Sequence, residues 1–374
     1  MRNVAVCGSR IRNAFPQNDS FTTINMHGLP VTFGVINTQE PAFDRHAPEH
    51  ADKVLVKVRA FSCNYRDKNL IFKMTTSGPQ TSFYVLGSEF CGEVVAVGAG
   101  VTALCPGDRV IGNGQYPHSG IEGVRGGLPT NHGSKEYQVF HQAQLLKIPA
   151  SMSDEVAAAF PIGAQTTYSM IRKLDLQPGE RVLVTAAKSN TSLFAINALR
   201  QYDVQVYATT TSMTFADELT KMGVREVFHI DPAGTHFLEH ERMRALCADT
   251  GGFDAVIDPF FDVHLGKVIS AMAFGGRYVT CGLYDQYASM VGEQFTPTGL
   301  PWNAIMGLVM MKNLHIIGNC IGQTDDLVRA LQDYGAGRLS VVIDSLHNQR
   351  QVGAFFDRTY NARDRFGKVV YCYE

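Results

Sequence analysis

The chain has 374 residues, 45% apolar and 18% charged, with 33 basic and 35 acidic side chains and a net charge of −2. Against about 150 residues per domain, that length predicts two domains or one large composite, with ample chain to bury a core. The balanced charge, with no charged block, argues against a nucleic-acid or anionic-membrane surface and leaves a small molecule or another protein as partner.

Eight cysteines, at 7, 63, 91, 105, 247, 281, 320 and 372, form no CxxC pair and no dense framework. That usage is expected of reduced thiols in a cytoplasmic chain. The opening residues MRNVAVCGSR lack the apolar stretch of a secretory signal. No run reaches the ~18 apolar residues of a membrane span.

In chain order, residues 1–50 read as irregular and rich in Asn, Pro and His, with short strand-like pieces such as 31–36. KVLVKVRAF at 53–61 alternates as a half-buried strand does, and leads into SCNYRD at 62–67. More strand signal follows at 93–97, then a GAG turn at 98–100 and GDRVIG at 107–112, so this part reads as a mainly β domain. The Gly-, Pro- and His-rich stretch 113–134 is a loop of functional length. Strand character resumes over 136–148, and Ser151, Asp154 and Glu155 offer a capped helix start.

From about residue 155 strands and helices alternate. Strands are predicted at 182–185, 204–209, 227–230, 255–257, 276–281 and 314–317, with helices at 193–202, 214–222 and 263–273. Repeated βα units of this kind imply a parallel, doubly wound sheet, hence an α/β fold. A helix near 325–335 and a strand at 368–372 are expected to return to the first domain. The expected division is 1–155 with 324–374, and 156–323.

RVLVTAAKSNTS at 181–192 is an apolar strand breaking into a polar turn and a helix start. A dinucleotide pyrophosphate is held by such a turn, because unpaired amides and the helix dipole face the anion. The usual GxGxxG glycines allow close backbone approach, yet Ala186, Ser189 and Ser192 stand here. Candidate contacts are Ala187, Lys188, Ser189, Asn190, Thr191 and Ser192. Lys188 either supplies charge to the pyrophosphate beside these hydroxyls or is a solvated lysine next to a helix cap. After the second strand, VYATTTS at 206–212 has no Asp or Glu for a ribose 2′-hydroxyl, which favours NADP over NAD. Thr210, Thr211 and Ser212 would bond the 2′-phosphate, although Met213 and Phe215 replace the basic residues often found next.

Read together, GDRVIG at 107–112, EY at 136–137, PGERVLV at 178–184, GGRYVTCG at 275–282 and FGKVV at 366–370 resemble the medium-chain dehydrogenase/reductase superfamily. The resemblance spans nearly the whole chain. It implies a GroES-like β domain joined to a Rossmann domain, with the active site in the cleft between them. Zinc members place Cys, His and Cys around the metal. The corresponding positions are Asn64, Ser88 and one near Ile162, and the 113–134 loop, where structural cysteines are usual, contains none. His118 and His132 in that loop lack suitably spaced partners, so no metal is expected.

What remains resembles the zinc-free quinone oxidoreductases and enoyl reductases, to whose NFRD or NYRD the NYRD at 64–67 is similar. That branch implies a biosynthetic, NADPH-dependent reduction of an activated C=C bond, in an enoyl thioester or enone, by hydride transfer. Carbonyl, imine or quinone reduction, or a non-catalytic protein with a degenerate dinucleotide site, are the alternatives. Tyr65 is then the candidate donor or acid, unless its ring only fills core, and Asn64 orients substrate or the nicotinamide amide. Arg66 and Asp67 read as an internal ion pair. Thr166 is placed near the nicotinamide ribose, unless its hydroxyl only packs a helix. Cys281 and Gly282 lie at a carboxyl strand edge, Gly282 acting through backbone approach and Cys281 as filler. A homodimer pairing edge strands near 314–317 completes the expectation.

Overall fold

A computed structural model describes residues 1–286 and 298–374. Its strands, in chain order, are β1 (Arg2–Cys7), β2 (Thr22–Met26), β3 (Leu29–Asn37), β4 (Lys53–Ser62), β5 (Phe83–Val85), β6 (Glu89–Val97), β7 (Arg109–Gly112), β8 (Tyr137–His141) and β9 (Leu145–Lys147). There follow β10 (Arg181–Val184), β11 (Gln205–Thr210), β12 (Val224–His229), β13 (Phe253–Asp258), β14 (Met272–Thr280), β15 (His315–Gly318), β16 (Ile343–His347) and β17 (Lys368–Cys372). The chain forms two compact units, Met1–Ile162 with Ile343–Glu374, and Gly163–Val342.

The first unit holds two sheets. One runs β2-β3-β1-β5, and the other runs β16-β17-β4-β6-β7-β9 with β8 paired to β4. The alternation expected of β4 is seen, with Val54, Val56 and Val58 buried between partly exposed neighbours. The expectation of an irregular 1–50 is corrected: β1, β2 and β3 form an antiparallel sheet there. The β2–β3 hairpin turns on His27 and Gly28, at φ 51° and 79°. Positive φ at both central residues gives the strand twist a two-residue hairpin needs. His27 is an uncommon residue for that conformation, so the turn is easily overlooked in the sequence.

The second unit is a six-stranded parallel sheet in the order β12-β11-β10-β13-β14-β15. Val182, Leu183, Val184, Val256 and Ile257 are fully buried, as expected of central parallel strands covered on both faces. Strand order reverses between β10 and β13, and in open α/β sheets ligands bind beyond the carboxyl ends at that point. The expected doubly wound topology is thus observed.

The units divide at 162/163 and 342/343, against the expected 155/156 and 323/324. Helix Thr324–Gly335 belongs to the second unit, tied by Arg172 to Asp326 at 2.8 Å and by the Tyr168 hydroxyl to Asp333 at 2.6 Å. Among the described residues no helix is long and apolar enough to cross a membrane.

Candidate active site

In the second unit the turn after β10 has the shape that glycines usually provide. Ala186 stands at φ 47°, in the left-handed region, so the first glycine position keeps its conformation with a Cβ in place. Ser189 is the N-cap of helix Asn190–Leu199, its Oγ accepting from the Ser192 N–H at 3.2 Å. Ser192 is fully buried and donates its hydroxyl to the Thr185 carbonyl at 2.7 Å, so it faces the strand. Ala187 is buried, its N–H donating to the Thr209 carbonyl at 2.9 Å. Lys188, Asn190 and Thr191 are half-buried.

The Asn190 amide is distinctive: both Oδ1 and Nδ2 are buried with no hydrogen-bond partner. A partnerless buried amide costs about 1–3 kcal/mol, which a ligand at this helix start would offset. Packing around it is close, since a Cβ on Gly163 would lie 2.8 Å from Asn190 Nδ2 and 2.6 Å from the Phe194 ring.

Beneath the turn, at the strand-order reversal, the buried Asp258 carboxylate collects four donors. Thr185 Oγ1, His264 Nδ1 and the Phe260 N–H reach Oδ1 at 2.6, 2.8 and 2.9 Å, and the Tyr278 hydroxyl donates to Oδ2. Burial alone would push this carboxyl up, but the His264 charge and these hydrogen bonds outweigh it and hold it below its ordinary value. Asp258, His264 and Tyr278 were not legible as site residues, because they share no motif with the turn they support.

The other residues expected at the cofactor lie in the same unit. Thr210 is buried, its hydroxyl donating to the Ser212 carbonyl at 2.8 Å. Thr211 is exposed, and Ser212 caps the short turn Met213–Phe215 by accepting from the Thr214 N–H at 3.4 Å. His229 Nε2 stands 3.3 Å from the Thr211 carbonyl, a basic neighbour that sequence reading missed. Thr166 is buried, its carbonyl 3.4 Å from Asn319 Nδ2. Gly282 follows β14, and a Cβ there would come within 2.8 Å of the Pro259 carbonyl, so it acts as a close-approach glycine. Burial pushes the Cys281 thiol up to about 12, which leaves it protonated and no nucleophile.

In the first unit, Asn64 and Tyr65 follow β4. The Asn64 N–H donates to Asp67 Oδ2 at 2.7 Å, and its Nδ2 donates to Ser88 Oγ at 2.9 Å and to Glu89 Oε1 at 3.0 Å. Its Oδ1 accepts from Lys368 Nζ at 2.7 Å. With both amide protons engaged, Asn64 retains capacity only as an acceptor. Tyr65 is half-buried, and the buried Lys68 ammonium lies 4.9 Å from its ring centroid.

The expected Arg66–Asp67 pair is corrected. Arg66 is exposed and donates to Asn131 Oδ1 at 2.7 Å, while Asp67 points inward and accepts from the Asn64 N–H and from Ser88 Oγ at 2.7 Å. Successive residues entering helix Asp67–Ser77 face different sides, so neighbours in sequence need not pair. Burial pushes the Asp67 carboxyl up, against the Asn64 N–H, Arg66, Ser88 and Lys368.

These geometries decide which groups the site can hold. The three metal positions carry an amide, a hydroxyl and, at Ile162, a backbone N–H donating to Glu89 Oε2 at 2.9 Å. None is a soft ligand; Asn64 bonds to Ser88, and Asn64 and Ile162 both donate to Glu89, so the donor set does not fit zinc. Among the described residues no other group of His, Cys, Asp or Glu could hold a metal ion. A dinucleotide does fit the second unit: the left-handed Ala186, the capped helix start and the Asn190 amide form a cradle for an anion.

Comparison with known proteins agrees with the fold. Residues 50–150 match the alcohol dehydrogenase GroES-like domain family. The chain is similar to acryloyl-coenzyme A reductase of Metallosphaera sedula, 26% identical over 331 residues, covering 85% of this chain and 91% of that one. It is 30% identical over 247 residues to mycoketide-CoA synthase of Mycobacterium tuberculosis, covering 66% of this chain but only 5% of that much longer protein. Among solved structures, an NAD-dependent alcohol dehydrogenase aligns over 100% of this chain and 99% of its own, with a TM-score of 0.76 at 24% identity. A crotonyl-CoA carboxylase/reductase in complex with NADP aligns over 99% and 95%, with a TM-score of 0.73 at 16% identity.

The two-unit architecture, with a GroES-like β unit and a parallel-sheet Rossmann-type unit, is that of a nicotinamide-dependent oxidoreductase. The chain belongs to the medium-chain dehydrogenase/reductase superfamily.

Proposed function

We propose that this chain is a zinc-independent, NADPH-dependent reductase of an activated C=C bond, acting on an enoyl thioester or enone. The observation that carries this reading is the Asn64 to Ser88 hydrogen bond at 2.9 Å, which joins two of the three positions that carry ligands in zinc-dependent members. Without an open coordination position the site suits a substrate whose developing negative charge is shared along a conjugated carbonyl. NADPH, when bound, supplies the hydride. The names of the acryloyl-coenzyme A reductase relative and of the reductase crystallised with NADP support the reading.

In this scheme Tyr65 donates to the substrate carbonyl oxygen or returns the proton, and Asn64 accepts a hydrogen bond from substrate or carboxamide. Lys188, Asn190 and the first-turn amides hold the pyrophosphate, and Thr211 with Ser212 hold the 2′-phosphate. Thr166 and Gly282 serve the nicotinamide end. A homodimer through β15 is supported by the exposure of Phe274, Met310, Met311 and Ile316 around that sheet edge. Eight free thiols support a reducing, cytoplasmic setting.

The test is a titration of NADPH by calorimetry, followed by its oxidation with panels of enoyl thioesters, enones and quinones. Saturable binding with turnover of a conjugated thioester or enone is the expected result. Binding without turnover of any class would overturn the reductase assignment, and no binding would make the chain a dehydrogenase-like protein that has lost its dinucleotide.

A further inference from the structure

Several segments of the first unit converge on one buried ammonium. Lys368, on β17, is 2% exposed; its Nζ donates to Asn64 Oδ1 at 2.7 Å and pairs with the Glu89 carboxylate at the start of β6. Glu89, 1% exposed, also accepts from Ser62 Oγ at the end of β4, from Asn64 Nδ2 and from the Ile162 N–H, at 2.9, 3.0 and 2.9 Å. Ser88 joins through Asn64, and its hydroxyl donates to Asp67 Oδ2 at 2.7 Å. All three positions that carry ligands in zinc-dependent members are therefore bound into a network whose positive charge is Lys368.

A carboxylate as buried as Glu89 needs a cation or it is not retained as a charge. An ammonium meets that need with donor hydrogens, which suit the oxygens present here, whereas a metal needs deprotonated soft ligands or open carboxylates. Cys63, next to Asn64 in the chain, is buried. The Asn64 amide is held at both ends by this arrangement. The turn from Asn64 to Asp67, which carries Tyr65, is closed by the Asn64 N–H on Asp67.

We propose that Lys368 is the organising cation of this centre, standing in for a metal ion, and that it is a positioning residue for Asn64 and, through the 64–67 turn, for Tyr65. The cation assignment is independent of the reaction; its effect on turnover rests on the reductase reading above.

Lys368→Met alone strands the Glu89 charge, so the Glu89→Gln/Lys368→Met double variant is the working protein, with the wild-type chain beside it. Metal content is measured after purification in added zinc, amide exchange is followed over 62–68 and over β10–β11, and kcat and KM are determined with NADPH. The wild type is expected to hold substoichiometric zinc and to ignore chelators. The double variant is expected to melt cooperatively, to exchange faster over 62–68 alone, and to lose kcat by about a hundredfold with KM for NADPH changed less than about twofold. One zinc per wild-type chain, removed by chelators, would show that a metal is the cation and overturn the proposal. So would a double variant with wild-type exchange over 62–68. If the wild type reduces nothing, the reductase reading falls, and metal content with amide exchange still decides the role of Lys368.

Discussion

Ser192 Oγ and the Thr185 carbonyl, 2.7 Å apart, close the turn between β10 and its helix from within. A glycine at this position would let the helix approach the strand; the serine instead bonds to it, and Ser189 Oγ donates to Ser192 Oγ at 2.9 Å. Ser192→Ala leaves the Thr185 carbonyl and the Ser189 hydroxyl short of a partner, at a cost of about 1–3 kcal/mol. Thermal melts with and without NADPH should show a lower Tm and a smaller cofactor-induced rise.

Ala186, at φ 47°, carries the strain of the turn. Ala186→Gly relieves that strain but loosens the unfolded chain, so its stability should stay within about 1 kcal/mol of wild type. Ala186→Val puts a β-branched residue at positive φ and should cost about 2 kcal/mol or more, with weaker NADPH binding. Chemical denaturation separates the two.

Lys188 and Thr211 test which part of the cofactor each contacts. Lys188→Ala should weaken NADPH and NADH alike, by about tenfold, if the lysine serves the shared pyrophosphate. Thr211→Asp should weaken NADPH and strengthen NADH, because a carboxylate repels the 2′-phosphate and accepts from the free ribose hydroxyl. Calorimetric titration of both nucleotides reads the result.

Asp258 links the turn to β13 and β14, and its carboxyl is held below its ordinary value. Its unfolded value lies near ~3.9, so the stabilisation is present at neutral pH and is lost as pH falls through the folded value. Asp258→Asn presents a donor where a donor already points, and should cost about 3 kcal/mol near neutral pH, with a smaller difference at acid pH. Denaturation curves across that range check the sign.

Cys281, with its thiol pushed up to about 12, should resist alkylation up to a pH of about 10, while the exposed Cys105 and Cys320 react. Peptide mapping after iodoacetamide treatment measures this, and rapid labelling of Cys281 would contradict it.

Much of the Rossmann unit was legible in the sequence. Buried parallel strands such as VLV at 182–184 are continuous apolar runs between turn residues, and helices at their period separate them. The first 50 residues were not, because polar side chains and prolines obscure β1 to β3, and the His27-Gly28 turn lacks the Asn-Gly or Asp-Gly signature. Arg66 and Asp67 misled for a related reason: adjacent charges suggest a pair, while the chain direction at a helix start sends one outward and one inward.

The amino-acid sequence by itself determined the alternation of strands and helices in the Rossmann unit, the residue types at 64, 88 and 162, and the glycine-free turn, since these depend on residue type and local spacing. Only the tertiary structure decided that Lys368 reaches Glu89 and Asn64, and that Asp258 holds Thr185. Partners of a buried charge are chosen by which strands become neighbours, and local spacing in the chain carries no record of that choice.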